Sequence, residues 1–285
     1  MKSTFRRKFT QKVAFTVFRT AIYINVAALA IFLGFIAVNG LSAISWEFLT
    51  EMPRESMTKG GILPCILGTI YISLGSILVA FPIGVGTAVY LNEFAGKGRW
   101  TDIVRMCIIN LAGVPSVVYG LFGLAFFVII MKMGVSLLAG SLTLGAFILP
   151  LIIGSAEEAL RNIPQSYREA SLALGASKWQ TIYKIVFPAA FPSMLTGLIL
   201  GMSRAAGETA PIMFTAAVFS TGKLPTSIFD EIMVMPYHIY VLATAGTNID
   251  ETRHLQYGTA LVLMVLVLGM NLTAIIIRNK LQKKY

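Results

Sequence analysis

Six apolar stretches, at positions 20–41, 62–91, 106–131, 136–156, 192–219 and 258–277, constrain this chain before anything else does. Each reaches the ~20 residues a helix needs to cross a ~30 Å hydrocarbon layer. A backbone in such a layer must satisfy its own hydrogen bonds, and runs of this length do so as helices. Composition agrees: 56% of the 285 residues are hydrophobic, 13% are charged, and mean hydropathy is +0.76. That lies outside the range of water-soluble domains. The expected fold is an all-α integral membrane protein with six transmembrane helices, surrounded by membrane lipid. Pro82 with Gly84 and Gly86, and Pro115 with Gly113, are the expected kinks.

Six crossings put both ends on one side, and the basic residues say which. Residues 1–19 hold Lys2, Arg6, Arg7, Lys8, Lys12 and Arg19; residues 92–105 hold Lys97, Arg99 and Arg105. Residues 157–191 add Arg161, Arg168, Lys178 and Lys184, and 278–285 add Arg278, Lys280, Lys283 and Lys284. Only Arg54, Lys59, Lys132, Lys223 and Arg253 fall in the alternate segments. The positive-inside rule therefore predicts cytoplasmic termini in a cell (inner or plasma) membrane, with 157–191 also inside. It also explains the net charge of +10 without nucleic acid, since no folded basic domain collects these residues. The first run exceeds a signal-peptide core, no small-residue cleavage site follows, and it reads as a retained anchor. The expected organisation is a basic cytoplasmic N-terminus (1–19), a first helix and outer loop (20–61), a transmembrane body (62–277) and a cytoplasmic C-terminus (278–285). Within the body lies an outer loop at 220–257, long and apolar enough (Ile228, Phe229, Ile232, Met233, Tyr237, Tyr240) for an ordered cap. It is either a passive connector or a contact surface.

The polar interruption at 157–191 carries a second pattern. Pro164 suits the first position of a helix, and Tyr167, Ala170, Ser171 and Leu174 then share one face, with Arg168 and Glu169 elsewhere. Gly175 suits a left-handed helix end. Ser177 and Gln180 form a capping box for a second helix with Ile182, Tyr183, Ile185 and Val186, and Pro188 precedes the next span. The result is a two-helix knob, which either lies on the bilayer surface or docks a partner.

Glu169-Ala170-Ser171, followed at fixed offsets by Gly175, Ile185 and Pro188, resembles the EAA loop of ABC-importer permeases; Ser171 and Phe187 depart from its usual alanine and leucine. The resemblance implies a type I importer permease fold. It also makes this loop the cytoplasmic coupling element for an ATPase subunit, through Arg168, Glu169, Ala170, Ser171, Leu174, Gly175, Ala176 and Ser177. The stretches RAAGETAP (204–211), LAGVPSVVYGLFG (111–123) and YLNEFA (90–95) resemble the PstA-type permease of phosphate importers. That family implies three partners: a second homologous permease, a dimeric cytoplasmic ATP-binding subunit and an extracytoplasmic phosphate-binding protein. Sulfate and molybdate permeases share the architecture.

Within the fifth run, Arg204 and Glu208 stand at i, i+4, where they can pair on one helix face, with Thr209 beside them. Intramembrane charges face a bundle interior or a watery cavity. The two form either an ion pair that holds helices together or a substrate path, with the arginine fork offered to an oxyanion. No G-x-x-x-x-G-K-[ST] phosphate loop, H-E-x-x-H or C-x-x-C occurs, so no ATPase site, catalytic group, cofactor or metal site is expected in the chain. ATP and Mg would belong to the partner. Cys65 and Cys107 read as packed hydrophobes, and His238 and His254 as lone loop residues. A stand-alone ion-driven carrier would more often show inverted repeats, and no second copy of the Arg204–Glu208 stretch stands out.

Overall fold

The computed structural model describes residues 2–57, 59–96, 98–245 and 249–282. Lys97, Lys283 and Lys284 lie outside them, as do the side chains of Lys2, Arg6, Asp250 and Glu251. Helix α1 (Lys2–Gly40) is a single rod that already includes the basic N-terminus. A short α2 (Trp46–Thr50), N-capped by Ser45, and a ribbon of two-residue strands β1 (Pro53–Arg54) and β2 (Lys59–Gly60) follow. Helix α3 (Leu63–Val89) accommodates Pro82 and continues as a π turn, Tyr90–Phe94. Next come α4 (Arg99–Ala112), then α5 (Ser116–Gly123) running into a second π turn, Leu124–Ile130, and then α6 (Leu137–Arg161). The remaining helices are α7 (Gln165–Ala173), α8 (Lys178–Thr181), α9 (Phe187–Gly207), α10 (Ala210–Met213), α11 (Met235–Thr244) and α12 (Ile249–Gln282).

Among the described residues, five helical rods are long and apolar enough to cross a membrane: Arg7–Ala43, Leu63–Phe94, Leu137–Arg161, Lys178–Gly207 and Thr252–Gln282. The third expected crossing is not one straight helix. Arg99–Ala112 and Ser116–Ile130 meet at 100°, because Gly113 ends α4 and Pro115 holds an extended backbone (ψ 141°) before α5. The fifth crossing is displaced from the expected 192–219. It starts at Lys178, since the π turn Ile182–Val186 shifts the hydrogen-bond register ahead of Pro188, which cannot donate. It stops at Gly207, and 208–219 form α10 and turns.

Helices α3, α6 and α9 make the centre, with α6 the most buried, whereas α1 and α12 are peripheral and largely exposed. One cluster (Ile72, Leu144, Phe147, Ile148, Met202, Ile212, Ile232) fills the middle. A second (Val85, Ala88, Ala156, Leu160, Val186, Met194) lies at the end that carries the 157–191 loop. A third (Phe48, Ile62, Cys65, Met233, Met235, Leu242) lies at the opposite end. In the latter, the 220–245 segment folds back onto the bundle: Ala217 bridges Ile232, and the Met235 amide donates to Thr69 Oγ1 at 2.9 Å. Helix α3 approaches so closely there that a Cβ on Gly68 would strike the Met233 carbonyl. His238, expected at the surface, is instead buried in α11, because that helix packs inward rather than looping through solvent. Cys65 is buried as expected, but Cys107 is exposed, since α4 buries none of its residues.

Candidate functional site

The 157–191 loop is built by short-range signals. Pro164 is the residue before α7, one earlier than expected, with an extended ψ of 138°. Leu174 closes α7, and Gly175 follows at φ +85°. The Gly175 amide donates to Leu172 O at 3.0 Å and the Ala176 amide to Ser171 O at 3.2 Å, the paired bonds of a Schellman end. Ser177 Oγ accepts from the Gln180 amide at 3.2 Å, and Gln180 Oε1 accepts from the Ser177 amide at 2.8 Å, completing the capping box. Across the turn, the buried hydroxyls of Ser171 and Thr181 meet at 2.9 Å.

The inward face of α7 is not the expected one. Of Tyr167, Ala170, Ser171 and Leu174 only Ser171 is buried, and Leu174 is 90% exposed. The reason is Arg168, three residues before Ser171, which points into the body and takes the inward side. It pairs with Glu93 through Nη2–Oε1 at 2.7 Å and Nε–Oε2 at 3.3 Å. It also donates to Leu160 O in the last turn of α6 and to Ile163 O just past its end. Glu169, Ala170, Leu174, Gly175 and Ser177 are exposed and Ala176 is half-buried, so the knob turns an outer surface to its surroundings. Trp179 stacks on Tyr183 and lies near Phe94, whose ring Lys178 Nζ overhangs at 5.2 Å.

Arg204 is in the last turn of α9, but Glu208 lies beyond it on extended backbone (φ −78°, ψ 137°), so the two do not share a helix face. Their closest approach, Nε to Oε1, is 3.9 Å, too long for a hydrogen bond. The guanidinium instead lies over the Phe147 ring of α6, with Cζ 4.2 Å from the centroid, in cation–π geometry. Phe147 is itself held edge-on by Tyr119, whose hydroxyl donates to Leu111 O at 3.0 Å. Thr209 is half-buried at the start of α10 with no capping bond. Among the described residues Arg204 donates no hydrogen bond, so its planar fork is open. Sequence reasoning missed Glu93, Phe147, Tyr119 and Thr181. The acid in YLNEFA, the lone charge of that stretch, is the one signal available for Glu93.

A bundle of membrane-length helices carrying a capped polar knob at one end has the form of a transporter's membrane component. Residues 80–285 match the family described as "binding-protein-dependent transport system inner membrane component", and the chain belongs to that family. It is 34% identical, over 98% of both chains, to a probable ABC transporter permease, YqgI, of Bacillus subtilis (strain 168). It is 35% identical, over 94% of this chain and 88% of the relative, to the phosphate transport system permease protein PstA of Mycobacterium leprae (strain TN). The fold is that of a type I ABC importer permease. The inward-facing methionine transporter MetNI matches with a TM-score of 0.64 at 18% identity, over 77% of this chain and 95% of that one. A bacterial alginate transporter, in complex with its periplasmic protein, matches with a TM-score of 0.59 at 16% identity, over 95% and 94%.

Proposed function

We infer that this permease carries inorganic phosphate inward through an ATP-driven importer. In this reading it pairs with a second permease, binds a dimeric cytoplasmic ATPase through Arg168–Ser177, and receives its anion from an extracytoplasmic binding protein. Both termini and the 157–191 loop face the cytoplasm, and ATP and Mg are held by the partner. The observation that carries the substrate assignment is the open guanidinium of Arg204, seated on Phe147 and only loosely opposed by Glu208. A planar fork held flat on an aromatic face can present two parallel donors to a tetrahedral oxyanion, which lysine cannot. Glu208, 3.9 Å away, offers the arginine a counter-charge between substrates without consuming its donors. The PstA relative, a phosphate transport permease by name, supports the same anion.

The test is uptake of labelled phosphate, sulfate and molybdate by cells lacking and then regaining the chain, with ATP hydrolysis followed in the purified importer. Removing charge-assisted bonds with Arg204→Gln should cut phosphate uptake about 10- to 100-fold, and Arg204→Lys should recover only part. Uptake unimpaired by Arg204→Gln, or sulfate carried in preference to phosphate, overturns the assignment.

A further inference from the structure

We propose that Glu93 is a positioning residue for energy coupling. It fastens the inward side of α7 to the end of α3, so that a displacement of α7 is delivered to α3 as well as to α6 and α9, the helices its own chain reaches. The inference rests on the reading that the 157–191 loop receives the ATPase.

Helix α7 is tied to the body along the chain at both ends, through Asn162–Pro164 to α6 and through Leu174–Ser177 to the Lys178–Gly207 rod, and the hydroxyl contact of Ser171 with Thr181 reinforces the second tie. Its link to α3 is Arg168 to Glu93, across 75 positions of sequence, with side chains only 13% and 7% exposed. The geometry is two-pronged, so it fixes orientation as well as distance. Arg168 spends its remaining donors on Leu160 O and Ile163 O, which means that one guanidinium joins the ends of α3 and α6 to α7. Glu93 sits in the π turn Tyr90–Phe94, where the wider turn changes the direction in which side chains leave α3. Its Oε1 also accepts from Asn92 Nδ2 at 2.8 Å. Beside the pair is a cavity of about 820 Å³ with Arg161 and Lys178 in its lining. A carboxylate there has cations available, yet it is committed to Arg168.

The linkage is buried, while the exposed surface of the knob is formed by other side chains. Removing the Glu93 carboxylate should therefore leave the docking surface in place and cut its connection to α3. The experiment uses the complete importer in proteoliposomes with its binding protein, comparing wild type, Glu93→Gln and Glu93→Asp. It reads ATPase subunit retained on purification, ATP hydrolysed, and anion imported per ATP. Glu93→Gln should retain the ATPase at wild-type stoichiometry and keep hydrolysing, with import per ATP down about tenfold, within the ~5- to 150-fold range of an ordinary coupling between sites. Glu93→Asp, which keeps the charge, should recover part of the ratio. An unchanged ratio, with import and hydrolysis falling together or neither falling, overturns the inference, as does loss of the ATPase from both variants. If wild-type permease neither retains nor stimulates an ATPase, the reading of the loop fails instead.

Discussion

Gly175 offers the cleanest perturbation in the loop, because its cost is separable from sterics. At φ +85° it occupies the left-handed region, yet a Cβ built there meets nothing within 4 Å. Any substitution is therefore penalised through backbone conformation alone, by about 1–2 kcal/mol for an ordinary residue. Asparagine, which tolerates the left-handed region, is penalised less. What the penalty opposes is the turn that makes the Gly175–Leu172 and Ala176–Ser171 bonds and brings Ser171 to Thr181. A shift of that size lowers the closed-turn population about 5- to 30-fold relative to its alternatives. Binding-protein-stimulated ATP hydrolysis and ATPase retention on the purified importer should then fall in the order glycine, asparagine, alanine, valine. Asparagine is the discriminating variant. If the loss came from a side chain colliding with the docked ATPase, asparagine, being larger, would be worse than alanine. That inversion, or normal coupling in Gly175→Val, would refute the conformational argument.

Other outcomes follow from the same contacts. Ser171→Val should leave the buried Thr181 hydroxyl unpaired and cost about 1–3 kcal/mol in thermal unfolding, whereas the double change Ser171→Ala/Thr181→Val should cost less than Ser171→Val alone. If the double variant is the less stable, the hydroxyl pair is not what holds the turn. Gly68→Ala should drive α3 off the Met233 carbonyl, lowering stability and making the 220–234 segment more sensitive to protease, while leaving ATPase retention intact. Unchanged protease sensitivity would mean that this end does not depend on the close approach.

What the sequence reveals here is what is decided within a few residues. Gly175 and the Ser177–Gln180 box are fixed by local backbone needs, and the apolar runs by the thickness of a bilayer. The break at Gly113–Pro115 is legible for the same reason, although its 100° angle is not. The inward face of α7 was misjudged because the apolar pattern of Tyr167, Ala170 and Leu174 competes with one charged residue. Its partner, Glu93, lies 75 positions away in an unrelated stretch. A buried ion pair of that span leaves no periodic trace. The start of the fifth crossing is not legible because Pro188 and Pro192 normally punctuate a helix, and the π turn that tolerates Pro188 is a tertiary outcome. His238 reads as a loop residue until α11 is seen to fold inward with it.

The displaced start of that crossing alters the relation between the two ends of the molecule. Lys178–Gly207 is continuous, and at 1.5 Å per residue its 30 residues span about 45 Å. The same helix thus begins at the capping box of the knob and carries Arg204 in its last turn. Helix α6 runs alongside: it supports Arg204 through Phe147 and, at its other end, supplies the Leu160 carbonyl to Arg168. Both supports of the arginine are therefore rooted in the loop, and both are packed tightly along their length by the α3, α6 and α9 clusters. A stiff pair of rods can express a displacement only where packing ends. At the Arg204 end that place is the extended backbone at Glu208 and the loose 3.9 Å approach of the two charges. On the proposed phosphate path, Arg204 would exchange Glu208 for the anion there, without the core beneath it repacking.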